Sequence, residues 1–245
     1  MHDTALDTTK GGAVTQLPYP GVSTSAPPAT ESTSNTYPVN LEGDLDPGLS
    51  RWKWLVKWIL AIPHVVVLFA LWIGFLGASI AALVMVLATG RYPRSLFNYN
   101  LGVLRWTWRV TFYAFNALGT DRYPPMSLGP EPDYPARLTI EYPERLSRPL
   151  ALFKWWLLAI PHYVLVGIFV GGVLFGPELL PIPLFAAPGS LIWILAVFAG
   201  VVLLFTARYP QSLFRLVLGL NRWAFRVVAY AALMRDEYPP FRLER

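Results

Sequence analysis

The residues with the widest chemical reach in this chain are two histidines. His64 closes Leu60-Ala-Ile-Pro-His64 and His162 closes Leu158-Ala-Ile-Pro-His162, both inside strongly apolar sequence. Imidazole moves protons near neutral pH and ligates metals and haem iron. A pair on facing helices has the donor count for bis-His ligation. The plainer use is structural: Pro63 and Pro161 each free a carbonyl one turn back, and the imidazole sits at the resulting kink. Two histidines alone make a weak motif, so the structural use is favoured and no cofactor is expected. Haem or a metal ion at His64/His162, and a proton relay through them, stand as alternatives.

Little else in the sequence offers chemistry. There is no cysteine, which removes thiolate metal sites, iron–sulfur clusters and cysteine nucleophiles. No Asp or Glu occurs between Asp46 and Asp121, so carboxylate-driven ion coupling is poorly supported. No phosphate-binding glycine loop, Ser-His-Asp set or paired-carboxylate site is present. A non-enzymatic protein is the expectation.

The arginines are patterned. Over residues 95–118, Asn98, Arg105, Arg109 and Asn116 fall within about 60° of one another on a helical wheel. In the second copy, Arg215, Arg222 and Arg226 take the positions of Asn98, Arg105 and Arg109. A basic stripe carrying Trp106 and Trp223 suits a helix in the headgroup plane, with Arg94, Arg105, Arg109, Arg215, Arg222 and Arg226 on lipid phosphates. Anionic membrane lipids are the expected partner. A second copy of the chain or another membrane protein is an open partner, and nucleic acid is not expected.

The elements that position these residues are apolar. The chain has 245 residues, 54% hydrophobic and 14% charged, against about 25% charged for soluble domains. Mean hydropathy is +0.42 and net charge +5. Residues 55–90 are free of charge except Lys57; as one helix they would run about 54 Å against a hydrocarbon core of roughly 30 Å. The expected solution is a helical hairpin with its tip at Gly74-Phe-Leu-Gly77, either crossing fully or re-entering from one side. In the second copy the apolar runs 150–175 and 189–207 flank a four-proline segment, which gives a second hairpin. The block 91–110 returns 117 positions later at 208–227, so two parallel copies are read. The expected architecture is all-α: four transmembrane helices as two hairpins, two interfacial amphipathic helices, and a small cytoplasmic β-ribbon pairing Val39 and Leu41 with Leu138 and Ile140. The divisions are a disordered tail 1–36, a first repeat 37–130 and a second repeat 131–245. The hairpin tips lack Lys and Arg, which places both termini in the cytoplasm of a multi-pass protein.

The combination YPxRLxxxYPERLSR, KWxLAIPH, RYPxSLF, GxxRWxxRV and DxYPP occurs across 134–240 and resembles the DUF4389 family of bacterial membrane proteins. The first copy departs at its start, where Gly43-Asp-Leu-Asp-Pro47 replaces the Tyr-Pro-Glu-Arg form. The resemblance covers nearly everything after the tail. It implies a bacterial inner-membrane location and brings no activity. The role expected is a scaffold or a lipid- or partner-binding module. A transporter or channel subunit with a path between the repeats, and a bis-His redox carrier, are the alternatives.

Overall fold

A computed structural model describes residues 37–171, 184–241 and 243. The tail 1–36 and most of the proline-rich segment of the second copy lie outside the described residues.

The first apolar block does not fold back at its glycines. Helix α1 (Trp54–Leu60) breaks at Ala61, and α2 (Ile62–Thr89) then runs unbroken for 28 residues. Gly74-Phe-Leu-Gly77 is therefore mid-helix. Two helical glycines cost about 2 kcal/mol together, less than exposing the unpaired backbone groups of a turn in apolar surroundings. Pro63 stands in the first turn of α2, where its missing N–H costs nothing. Gly90 ends the helix in the left-handed region at φ 71°, its N–H bonded to the Val86 carbonyl.

In the second copy α4 (Arg148–Phe153) runs through a π-helical turn, Lys154–Leu158, into α5 (Ile160–Phe169), with a 46° bend. The turn absorbs one residue. Lys57 and Lys154 stand 97 positions apart, but Leu60 and Leu158 stand 98 apart. Helix α6 (Leu191–Thr206) has 16 residues, about 24 Å, short of a bilayer core of roughly 30 Å.

Four transmembrane helices in two hairpins are thus not what the chain forms. Among the described residues one helix, α2, is long and apolar enough to cross a membrane, or two if the bent α4–α5 pair counts as a single span. A multi-pass topology is not supported.

The Arg-Tyr-Pro segments start the amphipathic helices. Pro93 and Pro210 are extended, and α3 (Arg94–Val110) and α7 (Gln211–Ala231) follow them directly. A π-helical turn, Thr111–Phe115, continues α3. Strands β1 (Val39–Gly43) and β2 (Ala136–Ile140) pair antiparallel with Leu41 opposite Leu138.

Three layers result. The ribbon packs on α3 through β2 and on α7 through β1; α2 packs on the far side of α3, and α5 and α6 on the far side of α7. Trp108, Phe112, Phe214 and Phe225 meet edge-to-face between α3 and α7. The copies interlock: the Tyr92 hydroxyl donates to the Ala232 carbonyl at 3.4 Å, and its counterpart Tyr209 donates to the Ala117 carbonyl at 2.8 Å.

Candidate functional site

The basic stripe faces the ribbon. Arg105 Nε donates to the Leu138 carbonyl at 3.0 Å, and Arg222 Nε to the Leu41 carbonyl at 2.8 Å. Leu41 and Leu138 are register partners, so equivalent arginines of the two copies hold the two sides of one strand pair. Arg109 donates to the carbonyls of Gly129, at 3.0 Å, and Ser127. The Arg226 guanidinium lies 5.2 Å from the Tyr37 ring centre. Arg109 and Arg226 are 2% and 3% exposed, and Arg105 and Arg222 are half-buried. Headgroup contact by Arg109 and Arg226 does not fit this placement; their heads are enclosed by protein. Arg94 and Arg215 of the same set are exposed.

Trp106 and Trp223 are also inside, each against its own copy's histidine. Trp106 Nε1 donates to His64 Nδ1 at 3.0 Å. That bond places the His64 proton on Nε2, which is buried with no hydrogen-bond partner among the described residues. Trp223 instead stacks on His162 at 5.2 Å, 18° between planes. His162 Nε2 meets the Pro239 carbonyl and Nδ1 the Tyr238 hydroxyl, both at 3.2 Å. Tyr123, the counterpart of Tyr238, packs on His64 at 4.8 Å. Each imidazole is therefore closed in by the Trp and Tyr-Pro-Pro of its own copy. No hydrogen bond or ring contact joins His64 to His162 among the described residues. With both nitrogens of His162 engaged, the pair does not fit a shared bis-imidazole ligation.

A second duplicated cluster was not anticipated. Lys57 is 1% exposed; its Nζ lies 2.8 Å from Asp121 and donates to the Thr120 carbonyl at 2.8 Å. Lys154 is fully buried; its Nζ lies 2.7 Å from Asp236 and donates to the Arg235 carbonyl at 2.8 Å. Each Asp also accepts a backbone N–H where a helix-leading segment starts: Asp121 from Ser50 at 2.8 Å, Asp236 from Ser147 at 2.6 Å. Each ammonium faces an equivalent ring, Tyr113 at 5.3 Å and Tyr230 at 5.4 Å. Burial pulls the Lys57 amine below its ordinary value, against the pull of Asp121. For Asp121 burial acts upward, but the Lys57 ammonium, the Ser50 N–H and the Lys53 charge outweigh it and hold the carboxyl below 3.8. The repeat itself carried the signal, since Lys57/Lys154 recur with Asp121/Asp236.

The outer layer is the most unusual surface. Only 22% of the apolar window of α2 is buried, where the core helix of a water-soluble protein would be mostly enclosed. His64, Leu68, Trp72, Phe75, Ala78, Ala82 and Val86 form its single buried stripe. Val66, Ile73 and Leu76 stand out at 65%, 62% and 62% exposed, and Phe205 of α6 at 79%. Trp58, Trp155 and Trp156 are also exposed. An apolar cavity of about 360 Å³ opens between α1 and α6, lined by Trp54, Trp58, Phe115, Phe185 and Trp193. Its described lining is apolar and aromatic, which suits an apolar group.

The family model described as "Domain of unknown function (DUF4389)" matches residues 51–127 and 179–242, more than half of the chain and consistent with two tandem copies. No curated protein and no solved structure matches.

Proposed function

Since this chain belongs to the DUF4389 family, whose description assigns no activity, we propose from its geometry that it is a non-enzymatic module embedded in one anionic membrane leaflet. The apolar layer of α1, α2, α4–α5 and α6 is immersed, and the ribbon faces water. The observation that carries this reading is the apolar face of α2, open around most of its circumference. Contiguous exposed apolar surface of this extent marks a membrane or partner contact.

The inclination follows from α3. Helices α2 and α3 lie antiparallel along their length, tied by Trp106 to His64, Trp72 to Thr107 at 3.1 Å and Asn100 to Ser79 at 3.1 Å. They share one inclination. Arg94 and Arg105 of α3 are 11 residues apart, about 16 Å, so a crossing α3 would leave one of them inside a core of roughly 30 Å. An arginine there costs about 2.5–3.5 kcal/mol on insertion scales. Lying in plane avoids this, and one helix diameter of about 10 Å matches the depth to which interfacial helices sink.

The chain has no native cysteine, so single-cysteine labelling is clean. Ile73→Cys and Leu76→Cys in membranes should resist a water-soluble maleimide, and Thr139→Cys on the ribbon should react. Brominated lipids should quench fluorophores at Val66, Ile73 and Ile80 from one common depth. Ready labelling at Ile73, or release of the protein by an alkaline wash, would overturn the reading. A depth that runs from one leaflet to the other along α2 would replace it with a crossing helix.

A further inference from the structure

At the C-terminal end of α2 three arginines surround one cleft. Thr89, Gly90, Arg91, Arg145, Leu146 and Arg148 line a space of about 490 Å³. Its floor is fixed: Gly90 is in the left-handed region, and its carbonyl accepts the Leu146 N–H at 2.9 Å. Arg94 lies alongside, stacked 4.6 Å over the Tyr142 ring, whose hydroxyl donates to the Tyr92 carbonyl. Arg91, Arg145 and Arg148 are all exposed. The Arg91 backbone N–H donates to the Thr89 hydroxyl at 3.2 Å, but none of the three guanidinium groups has a hydrogen-bond or ion-pair partner among the described residues. Arg145 also borders a neighbouring cleft with Glu144, Asp236 and Glu237, but no ion pair joins it to these carboxylates among the described residues.

The plain use of cations at this end is to complement the negative pole of α2. None of the three donates to the last carbonyls of the helix among the described residues, so that use leaves their donors idle. No carboxylate lines this cleft among the described residues, and guanidinium forks grouped in this way match the planar, two-oxygen recognition of phosphate.

The repeat supplies an internal comparison. The counterparts of Arg91 and Arg148 are Arg208 and Arg51, but Gly48 stands where Arg145 would be and Gln211 where Arg94 would be. A generally basic rim would be expected at both positions; the full set is built at one.

We propose that Arg91, Arg145 and Arg148 form a binding site for the phosphate of an anionic phospholipid headgroup, held at the end of the immersed α2. This rests on the membrane reading above, because the acyl chains of that lipid would lie against the exposed face of α2.

The test compares two pairs of substitutions of equal charge in the full chain. Arg145→Ala with Arg148→Ala should lower the preference for phosphatidylglycerol-containing over pure phosphatidylcholine vesicles by at least about 100-fold, from about ten-fold or more per charge-assisted hydrogen bond to phosphate. Arg51→Ala with Arg208→Ala should lower it by no more than about 25-fold, the non-specific loss of about five-fold per surface arginine. Equal losses would overturn the site and leave the membrane reading standing. Failure of the unaltered protein to bind either vesicle would defeat the membrane reading first. In the unaltered protein, phosphatidylglycerol should also protect these arginines from phenylglyoxal. Equal protection by soluble glycerol phosphate would overturn the lipid assignment in favour of a free phosphate ester.

Discussion

Replacing Asp121 by Asn opens the Lys57 clasp from one side. Asparagine removes the charge and one of the two acceptor oxygens. Asp121 accepts the Ser50 N–H at Oδ2 and faces Lys57 Nζ with Oδ1, so the amide keeps one of these contacts and turns its NH2 toward the other. Lys57 then remains as a buried cation, its side chain 2% exposed, while the acid it loses was 16% exposed. Breaking a buried pair from one side costs about 3–5 kcal/mol. The partial exposure of Asp121 puts this site near the lower end, about 3 kcal/mol. For a chain of this size each kcal/mol moves Tm by about 2–4 °C, so a fall of about 6–12 °C is expected in detergent, read by tryptophan fluorescence. Removing both charges, Lys57→Met with Asp121→Asn, should recover much of that loss, because no unpaired ion is left. The carboxyl is held below its ordinary 3.8, so the folded protein binds this proton more weakly than the unfolded chain. Its stabilisation is complete above 3.8 and is lost as pH falls through the lower folded value, and Asp121→Asn should remove that dependence. A single-variant Tm equal to that of an exposed control such as Asp133→Asn, or a double variant worse than both singles combined, would refute the reasoning.

Other outcomes follow from the packing. A Cβ on Gly102 would stand 2.8 Å from the Leu128 Cβ and 2.9 Å from its carbonyl oxygen, so Gly102→Ala should cost about 1–3 kcal/mol in a chemical melt. Arg105→Met or Arg222→Met strips a donor from a strand carbonyl, about 1–3 kcal/mol each, and the pair should open the ribbon to amide exchange before the helices melt. Residues 37–130 and 131–245 expressed separately should each fail to give a cooperative melt, and co-expression should restore it. Each piece holds one strand of the ribbon and one partner of each exchanged tyrosine bond.

Much of the fold was legible in the residues. The alternation of Val39, Leu41, Leu138 and Ile140 marked the ribbon, and the Arg-Tyr-Pro segments marked the starts of α3 and α7. The hairpins were misread because an apolar run reports how much helix there is, not where it stops. Gly74-Phe-Leu-Gly77 looked like a tip, while the true break at Ala61 carries only the downstream Pro63 as a sign. The clasp was missed because Lys57 looked like an edge charge when the first copy was considered alone. Its duplication, as Lys154, with Asp121 duplicated as Asp236, was the available clue.

The arginine stripe shows why a helical wheel has limited reach. Amphipathicity states that two faces of a helix need different surroundings; it does not name them. On α3 the polar face could meet headgroups, water or a set of backbone carbonyls, and all three give the same periodicity. The chain uses the third. A two-stranded ribbon has carbonyls that no neighbouring strand satisfies, and Arg105 and Arg222 supply the donors. The apolar face of α3 then meets α2, which carries the exposed apolar surface one layer further out. The boundary assigned to α3 itself therefore belongs to the stack: carbonyl-bearing ribbon, arginine-bearing helices, then an apolar layer suited to lipid. The duplicated Lys–Asp clasps tie the start of that outer layer to the Tyr-Pro-Pro segments at both ends of the stack, so the exposed apolar face of α2 and the burial of the arginines are consequences of one arrangement.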